Sequence, residues 1–352
     1  MVDDKLLKLT EERGISKIVP NCPACGCNEQ VSVGKVKDSL FDELNRVLPP
    51  QFQRLPDHIN VMVRCPKCDL AYLSPRLNNN FLKHIYGHWY RYGYGGTQSA
   101  SDNDTARAKE FHTRHLAILK RVGGNGGKLL DVGTGTGIFV QAANSGSWDA
   151  VGIDWSEQAV EQAQRLGRQH VQICTLRDFD SPDNNFDAIT MFDYLEHSQS
   201  PDDDLARASR LLKPGGLLAI RVPNYNCLQR TLTGMKWVGI FCLHLSYFNR
   251  PSLSRLLRQH GIEPVFVHAG NHQSLSMLVG KKLSWLRHRL LVSRNTPDVS
   301  STSTFNLQPT SGLDRHPRLA AYLLGTLLEL VDQAGGWFGY GQILFVVGRK
   351  LP

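Results

Sequence analysis

Four of the chain's eight cysteines form two knuckles, Cys22-Pro23-Ala24-Cys25 and Cys65-Pro66-Lys67-Cys68. Two thiolates spaced Cys-x-x-Cys can meet one metal ion from a tight turn, and two such pairs complete a tetrahedron. Cys22, Cys25, Cys65 and Cys68 are therefore read as ligands of one zinc ion. With sulfur at every position, no place is left for a substrate water, so the ion is structural. Cys27, beside the first knuckle, is a bystander.

A second set of residues is suited to holding a nucleoside. The apolar run Lys128–Val132 leads into Gly133-Thr134-Gly135-Thr136-Gly137 and then into a helix starting near Ile138. Glycines let the backbone pass close under a ligand. The dinucleotide fingerprint needs a third glycine where Ile138 stands, so that ligand class does not fit. Asp131 at the head of the loop suits a cationic ligand better than a pyrophosphate. The next strand, Ala150–Ile153, ends at Asp154, which can accept hydrogen bonds from ribose hydroxyls. A cationic nucleoside with an amino-acid tail is S-adenosylmethionine. A third set, Asp193, Glu196, His197 and His244, offers carboxylates and imidazoles that could remove a proton or orient an acceptor.

Positioning these groups requires an α/β sheet with crossovers, because short apolar runs alternate with glycine turns and helical stretches from Lys128 onward. The strands fall at Lys128–Val132, Ala150–Ile153, Val171–Cys174, Ala188–Phe192, Leu217–Val222, Ile262–Val267 and Gly341–Gly348. Leu211-Leu212-Lys213-Pro214-Gly215-Gly216 reads as the close of a helix and a turn into the fifth strand.

The ordered set Leu129–Gly137, Asp154, Phe186–Ile189, Leu195-Glu196-His197 and Leu211–Gly216 resembles the class I S-adenosylmethionine-dependent methyltransferases over residues 126–270. The subgroup it is similar to includes ubiquinone-biosynthesis O-methyltransferases and small-molecule or sugar methyltransferases. Several members carry a zinc ribbon ahead of the catalytic domain, with a phrase similar to Cys65–Arg76 at the join. The resemblance implies a Rossmann-like seven-stranded sheet. Within it, Gly133, Thr134, Gly135 and Gly137 lie under the methionine and ribose, and Asp131 holds the amino group directly or through water. Asp154 is expected on the ribose, Trp155 near the adenine, Thr175 and Leu176 at the adenine border, and Phe192 at the end of the fourth strand. Ubiquinone-type relatives have acid-x-x-Glu-His at the stretch matching Asp193–His197, associated with a divalent cation such as magnesium. It also implies that His244 crosses the mouth of the pocket and that Tyr86, Tyr90 and Tyr94 act as a lid.

The implied organisation is a zinc ribbon at 1–76, a helical linker or lid at 77–125, the cofactor-binding core at 126–270, a basic helical insertion at 271–340 and the last core strand at 341–352. Hydrophobic residues at 41% and charged residues at 20% exclude a disordered or fibrous chain. The net charge is +8, which raises a polyanionic partner. Residues 1–75 balance ten basic against ten acidic residues, however, and residues 271–352 carry nine basic and four acidic. A neutral ribbon argues against nucleic acid. Residues 281–294 join five Lys/Arg with Trp285 and leucines, a pattern that can also rest on an anionic membrane. No signal peptide and no spanning run are read, and the cysteine usage favours a cytoplasmic protein.

The expected activity is O-methylation of a small molecule: a quinone, polyketide or sugar intermediate. Two alternatives stand beside it. One is an RNA methyltransferase using the ribbon as a clamp, against which the tetrad Asn-Pro-Pro-Tyr is missing at Asp193–Glu196. The other is a non-catalytic S-adenosylmethionine-binding scaffold. The sequence leaves the oligomeric state open.

Overall fold

A computed structural model describes residues 16–19, 21–36, 61–92, 102–237, 239–270 and 339–352. The chain opens with β1 (Ser16–Lys17) and β2 (Val31–Lys35), followed by β3 (Val61–Arg64), β4 (Ala71–Leu73) and β5 (Arg76–Leu77). Each knuckle closes with the same pair of backbone bonds. Gly26 N–H donates to the Cys22 carbonyl and Cys22 N–H to that of Cys27, while Asp69 and Cys65 N–H donate to the carbonyls of Cys65 and Leu70. Gly26 and Asp69 adopt the positive φ that such tight reversals demand.

Two helices follow, α1 (Asn79–Tyr92) and α2 (Asp102–Arg121). The core then alternates β6 (Gly127–Val132), α3 (Ile138–Asn144), β7 (Trp148–Asp154), α4 (Glu157–Arg165), β8 (Val171–Ile173), β9 (Phe186–Phe192), α5 (Pro201–Leu211) and β10 (Leu212–Pro223). Beyond lie α6 (Leu228–Thr233), β11 (Ser246–Tyr247), α7 (Arg250–Gln259), β12 (Ile262–Gly270) and β13 (Ile343–Lys350). Seven strands form one sheet in the order β12-β13-β10-β9-β6-β7-β8. Only β13 runs against its neighbours.

Residues along these strands point alternately to the two faces, and both faces are apolar. Leu130, Val132, Leu218, Ile220, Val222, Leu344 and Val346 join one core. Their neighbours Leu129, Leu217, Ala219, Phe345 and Val347 join another, with Leu119 of α2 and Phe139 and Val140 of α3. This is the seven-stranded Rossmann-like arrangement expected from the resemblance.

Several boundaries differ from the sequence reading, among them β7, which starts at Trp148, and β12, which runs on to Gly270. The chain enters β10 at Leu212 rather than turning until Leu217, with a register shift against β9 between those residues. Gly215 (φ 80°) absorbs the irregularity: the Pro-Gly-Gly run bends an extended chain instead of interrupting it. The last strand starts at Ile343 and continues to Lys350. Residues 271–338 of the expected insertion, including 281–294, lie outside the described residues, as does Tyr94. No described helix is long and apolar enough to cross a membrane.

The ribbon is sutured to the core. β2, β3 and β4 are joined by β11 in a four-stranded sheet, where Ser246 faces Tyr72 and Tyr247 faces Ala71. The second knuckle also docks on the start of α7: Asn249 Nδ2 donates to Asp69 Oδ2 at 2.8 Å, and Arg255 Nη1 donates to the Lys67 carbonyl at 2.6 Å.

Candidate active site

The cofactor shelf is built where β6 and β7 end. The Asp154 carboxylate accepts the Gly135 N–H on Oδ2 and the Ser156 N–H on Oδ1, both at 2.8 Å. These bonds pin the glycine loop to the second strand and leave one lone pair on each oxygen. Burial pushes the Asp154 carboxyl up, and the backbone N–H groups of Ser156, Gly135 and Trp155 oppose that shift. Gly133 holds a left-handed φ of 74°, and a Cβ there would lie 2.7 Å from Tyr194 Cδ2. Gly152 has the same purpose from the other side, since a Cβ would press on Thr134 at 2.7 Å.

Of the residues expected to bind the cofactor, Gly133, Asp154, Trp155, Thr175 and Leu176 line a cavity of about 950 Å³. The other expected contacts sit back from its wall. Asp131 is buried and accepts from Thr190 Oγ1 at 2.6 Å, tying β6 to β9. Burial raises its carboxyl to about 6. Gly137 packs toward Val171. Phe192 joins Phe139, Phe345 and His115 in an aromatic cluster. Asp131 is therefore not part of the cavity wall.

On α1, Tyr86 also lines the cavity. Its ring meets Trp155 edge-on at 5.4 Å and His197 at 6.0 Å. Of the expected lid residues, Tyr86 is in the cavity wall, while the side chain of Tyr90 is not among those described. The turn Leu195–His197 follows β9. His197 Nδ1 lies 2.8 Å from the Leu243 carbonyl and 2.8 Å from the Tyr86 hydroxyl. A carbonyl only accepts, so Nδ1 carries the proton and Nε2 the lone pair. The same logic fixes His244, whose Nδ1 faces the Gly239 carbonyl at 2.8 Å. The two imidazoles meet at 4.9 Å between centroids. Burial lowers both imidazoles, His244 furthest, where proximity to His197 adds to the effect.

Glu196 is 2% exposed and its Oε2 has no hydrogen-bond partner among the described residues. Burial first, then the charge of Asp193, pushes its carboxyl well above the usual range. Asp193 reaches the cavity wall, but its carboxylate is taken by Arg221, whose Nε donates to Oδ1 at 2.9 Å and whose Nη2 donates to Oδ2. The structure therefore groups Glu196, His197 and His244 and sets Asp193 apart. Arg221 was missed by sequence reasoning; the signal available was a single cation inside the apolar strand Leu217–Val222.

At the ribbon, Cys22 Sγ lies 3.5 Å from Cys68 Sγ and Cys25 Sγ 3.6 Å from Cys65 Sγ. Four sulfurs about 2.3 Å from a zinc ion stand roughly 3.8 Å apart, so the set fits a tetrahedral metal. Cys68 is lowered to about 5, chiefly by the hydrogen bond from Cys22, whose own thiol is pushed up in return.

The fold and the shelf around Asp154 define a nucleoside-binding α/β enzyme of the class I methyltransferase type. The family model described as "Methyltransferase domain" matches residues 104–266. A ubiquinone biosynthesis O-methyltransferase of Methylococcus capsulatus is 37% identical over 172 residues, covering 44% of this chain and 68% of that protein. This chain belongs to the class I S-adenosylmethionine-dependent methyltransferases. A ubiquinone biosynthesis O-methyltransferase of Thiobacillus denitrificans is 28% identical, over 39% of this chain and 65% of its own length. A ubiquinone/menaquinone biosynthesis C-methyltransferase of Geotalea daltonii is 31% identical, over 30% of this chain and 50% of its own length. The chain thus spans between half and about two thirds of these curated relatives. Among solved structures, a SAM dependent methyltransferase of Archaeoglobus fulgidus superposes with a TM-score of 0.45 at 14% identity, covering 78% of this chain and 100% of that one.

Proposed function

We propose that the protein methylates an oxygen of a small-molecule acceptor. The observation that carries this reading is the cavity wall opposite the Asp154 shelf. It combines Leu82, Tyr86, Phe241 and Leu243 with His197, whose Nε2 lone pair is fixed by the bond its Nδ1–H makes to Leu243. An apolar wall with one oriented acceptor suits a planar, largely apolar molecule bearing a hydroxyl. The matched relatives include both O- and C-methyltransferases; the imidazole favours oxygen, because a hydroxyl must shed its proton as it is alkylated.

In this reading Asp154 takes the ribose hydroxyls on its free lone pairs and Gly133 lets the loop lie flat beneath the ligand. Trp155, Thr175 and Leu176 border the base. The bound cofactor supplies an electrophilic methyl carbon. The protein's part is alignment: Tyr86 confines the acceptor, and the His197 side of the wall handles the hydroxyl proton. The four-cysteine cluster holds a structural zinc ion that fixes the two knuckles and, through Asp69 and Lys67, seats the ribbon on α7.

Incubation with methyl-labelled S-adenosylmethionine and a metabolite extract, with an RNA fraction in parallel, tests the reading. Label is expected in an organic-soluble small molecule, as a base-labile or ether-linked methyl. Label confined to RNA would overturn it.

A further inference from the structure

The segment that leaves the second knuckle does more than lead into α1. At its start, Leu73 N–H donates to the Leu245 carbonyl at 3.0 Å, and Leu245 N–H donates to the Glu196 carbonyl at 2.7 Å. At its end, Gln199 Nε2 donates to the Leu77 carbonyl at 2.8 Å, and Arg76 Nη2 donates to the Gln199 carbonyl. Leu77 also packs with Leu243 and Leu245 in one buried cluster. His197, Ser198, Gln199, Ser200 and Leu243 all line the cavity. Both stretches of chain on the His197 side of the wall are therefore bonded to residues 73–77, where the ribbon ends.

Arg76 is 2% exposed, and its Nε and Nη1 have no hydrogen-bond partner among the described residues. A buried charge is costly unless an acid answers it, and the acids that follow Gln199 are engaged elsewhere. Asp202 meets His260, Asp203 pairs with Arg177, and Asp204 accepts from Tyr194 and Ser198. The accepting carbonyl also stands just ahead of α5, and a helix N-terminus favours an anion over a cation. An apolar side chain of similar volume would serve stability at least as well. What the guanidinium adds is direction: a charged donor fixed on one carbonyl, two residues from His197.

We propose that Arg76 is a positioning residue for methyl transfer, holding the 197–200 stretch of the cavity wall in place for the acceptor. The catalytic sheet then carries the nucleoside, while the end of the ribbon carries the wall that meets the acceptor. The inference rests on the oxygen-methylation reading only for what that wall receives.

The test compares Arg76→Met with Arg76→Lys in the full chain loaded with zinc. Methionine fills the space without the charge, and lysine keeps a charged donor for the Gln199 carbonyl. The readouts are amide hydrogen exchange, calorimetry with S-adenosylmethionine, and methyl-label transfer into serial dilutions of an organic-soluble metabolite extract. In Arg76→Met, amides of residues 195–200 should exchange about tenfold faster or more, as expected for losing one hydrogen bond to a charged group. The extract needed for half-maximal transfer should rise by a similar factor, while cofactor affinity and the thermal midpoint stay near wild type. Arg76→Lys should restore both exchange and transfer. Wild-type exchange at 195–200 in Arg76→Met would overturn the proposal, and so would a cofactor affinity that fell in step with transfer. If Arg76→Met does not fold, Arg76→Gln, too short to span to Gln199, is judged by the same criteria. Hydrogen exchange needs no turnover: a wild type that transfers no label would defeat the methylation reading, while exchange still judged Arg76.

Discussion

Asp154→Asn separates what the shelf does for the fold from what it does for the ligand. In wild type each carboxylate oxygen accepts one backbone N–H, from Gly135 and from Ser156. An asparagine keeps one accepting oxygen and turns an NH2 group toward the other donor. That buried donor loses its partner in free and liganded protein alike, a cost of about 1–3 kcal/mol in stability. Because it is present in both states, it cancels from the binding equilibrium. The ribose sees a different loss: one charged acceptor for its hydroxyl disappears, about 1.5–3 kcal/mol for a hydrogen bond to an ionised group. Affinity for S-adenosylmethionine should therefore fall about 10- to 150-fold, measured by titration calorimetry on protein whose folding is verified by circular dichroism. Urea unfolding without ligand should show the stability loss independently. A folded Asn variant that binds with wild-type affinity would refute the placement of the ribose on Asp154.

Other perturbations follow from the same geometry. Asp131 is raised to about 6 from an ordinary value near 3.8, so its neutral form is favoured by folding. Its stabilising contribution is full below pH 3.8 and is lost as pH rises through 6. Asp131→Asn should remove that slope and leave the ligand-free protein up to about 3 kcal/mol more stable than wild type at pH 7.5, with no such gain at pH 4; identical pH profiles in urea unfolding would contradict it. Gly133→Ala places a Cβ 2.7 Å from Tyr194 Cδ2 at a φ of 74°. It should cost about 1–3 kcal/mol and weaken cofactor binding at least tenfold, and a variant with unchanged calorimetry would count against the close approach. Cys65→Ser should lower the metal count at the ribbon by one ion and drop the thermal midpoint by roughly 5–15 °C; an unchanged melt would show that the cluster is dispensable. Tyr86→Phe keeps the ring contact to Trp155 but removes the hydroxyl beside His197 Nδ1. It should lower kcat several-fold with little change in cofactor affinity; the reverse pattern would place Tyr86 on the cofactor rather than on the histidine.

Much of the catalytic sheet was legible because its signals are local. Leu129, Leu130, Val132 and Ile153 are apolar, the glycines at 133, 135 and 137 admit positive φ, and Asp154 closes the second strand. Such patterns depend on neighbours in sequence. The cysteine cluster was legible for the same reason, its two halves being self-contained turns. The acceptor side was not. Whether Asp193 is a free carboxylate depends on Arg221, which lies on the neighbouring strand β10, and both are reasonable residues in isolation. The pairing of His197 with His244 depends on the path of residues 239–248 over the turn at 195–197, which has no periodic signature. The bend at Leu212–Leu217 was misjudged because Pro-Gly-Gly marks a change of direction without saying whether pairing continues through it.

The suture between Tyr72 and Ser246 has a bearing on how the chain is made. Synthesis proceeds from the N-terminus, so both knuckles leave the ribosome long before their fourth strand exists. Until Ser246 and Tyr247 emerge, β4 presents an open edge that could pair with any extended segment nearby. Early metal capture would hold the nascent ribbon in register during that interval. Starving translating cells of zinc should then trap insoluble chains, whereas chelation after release should only soften a finished molecule.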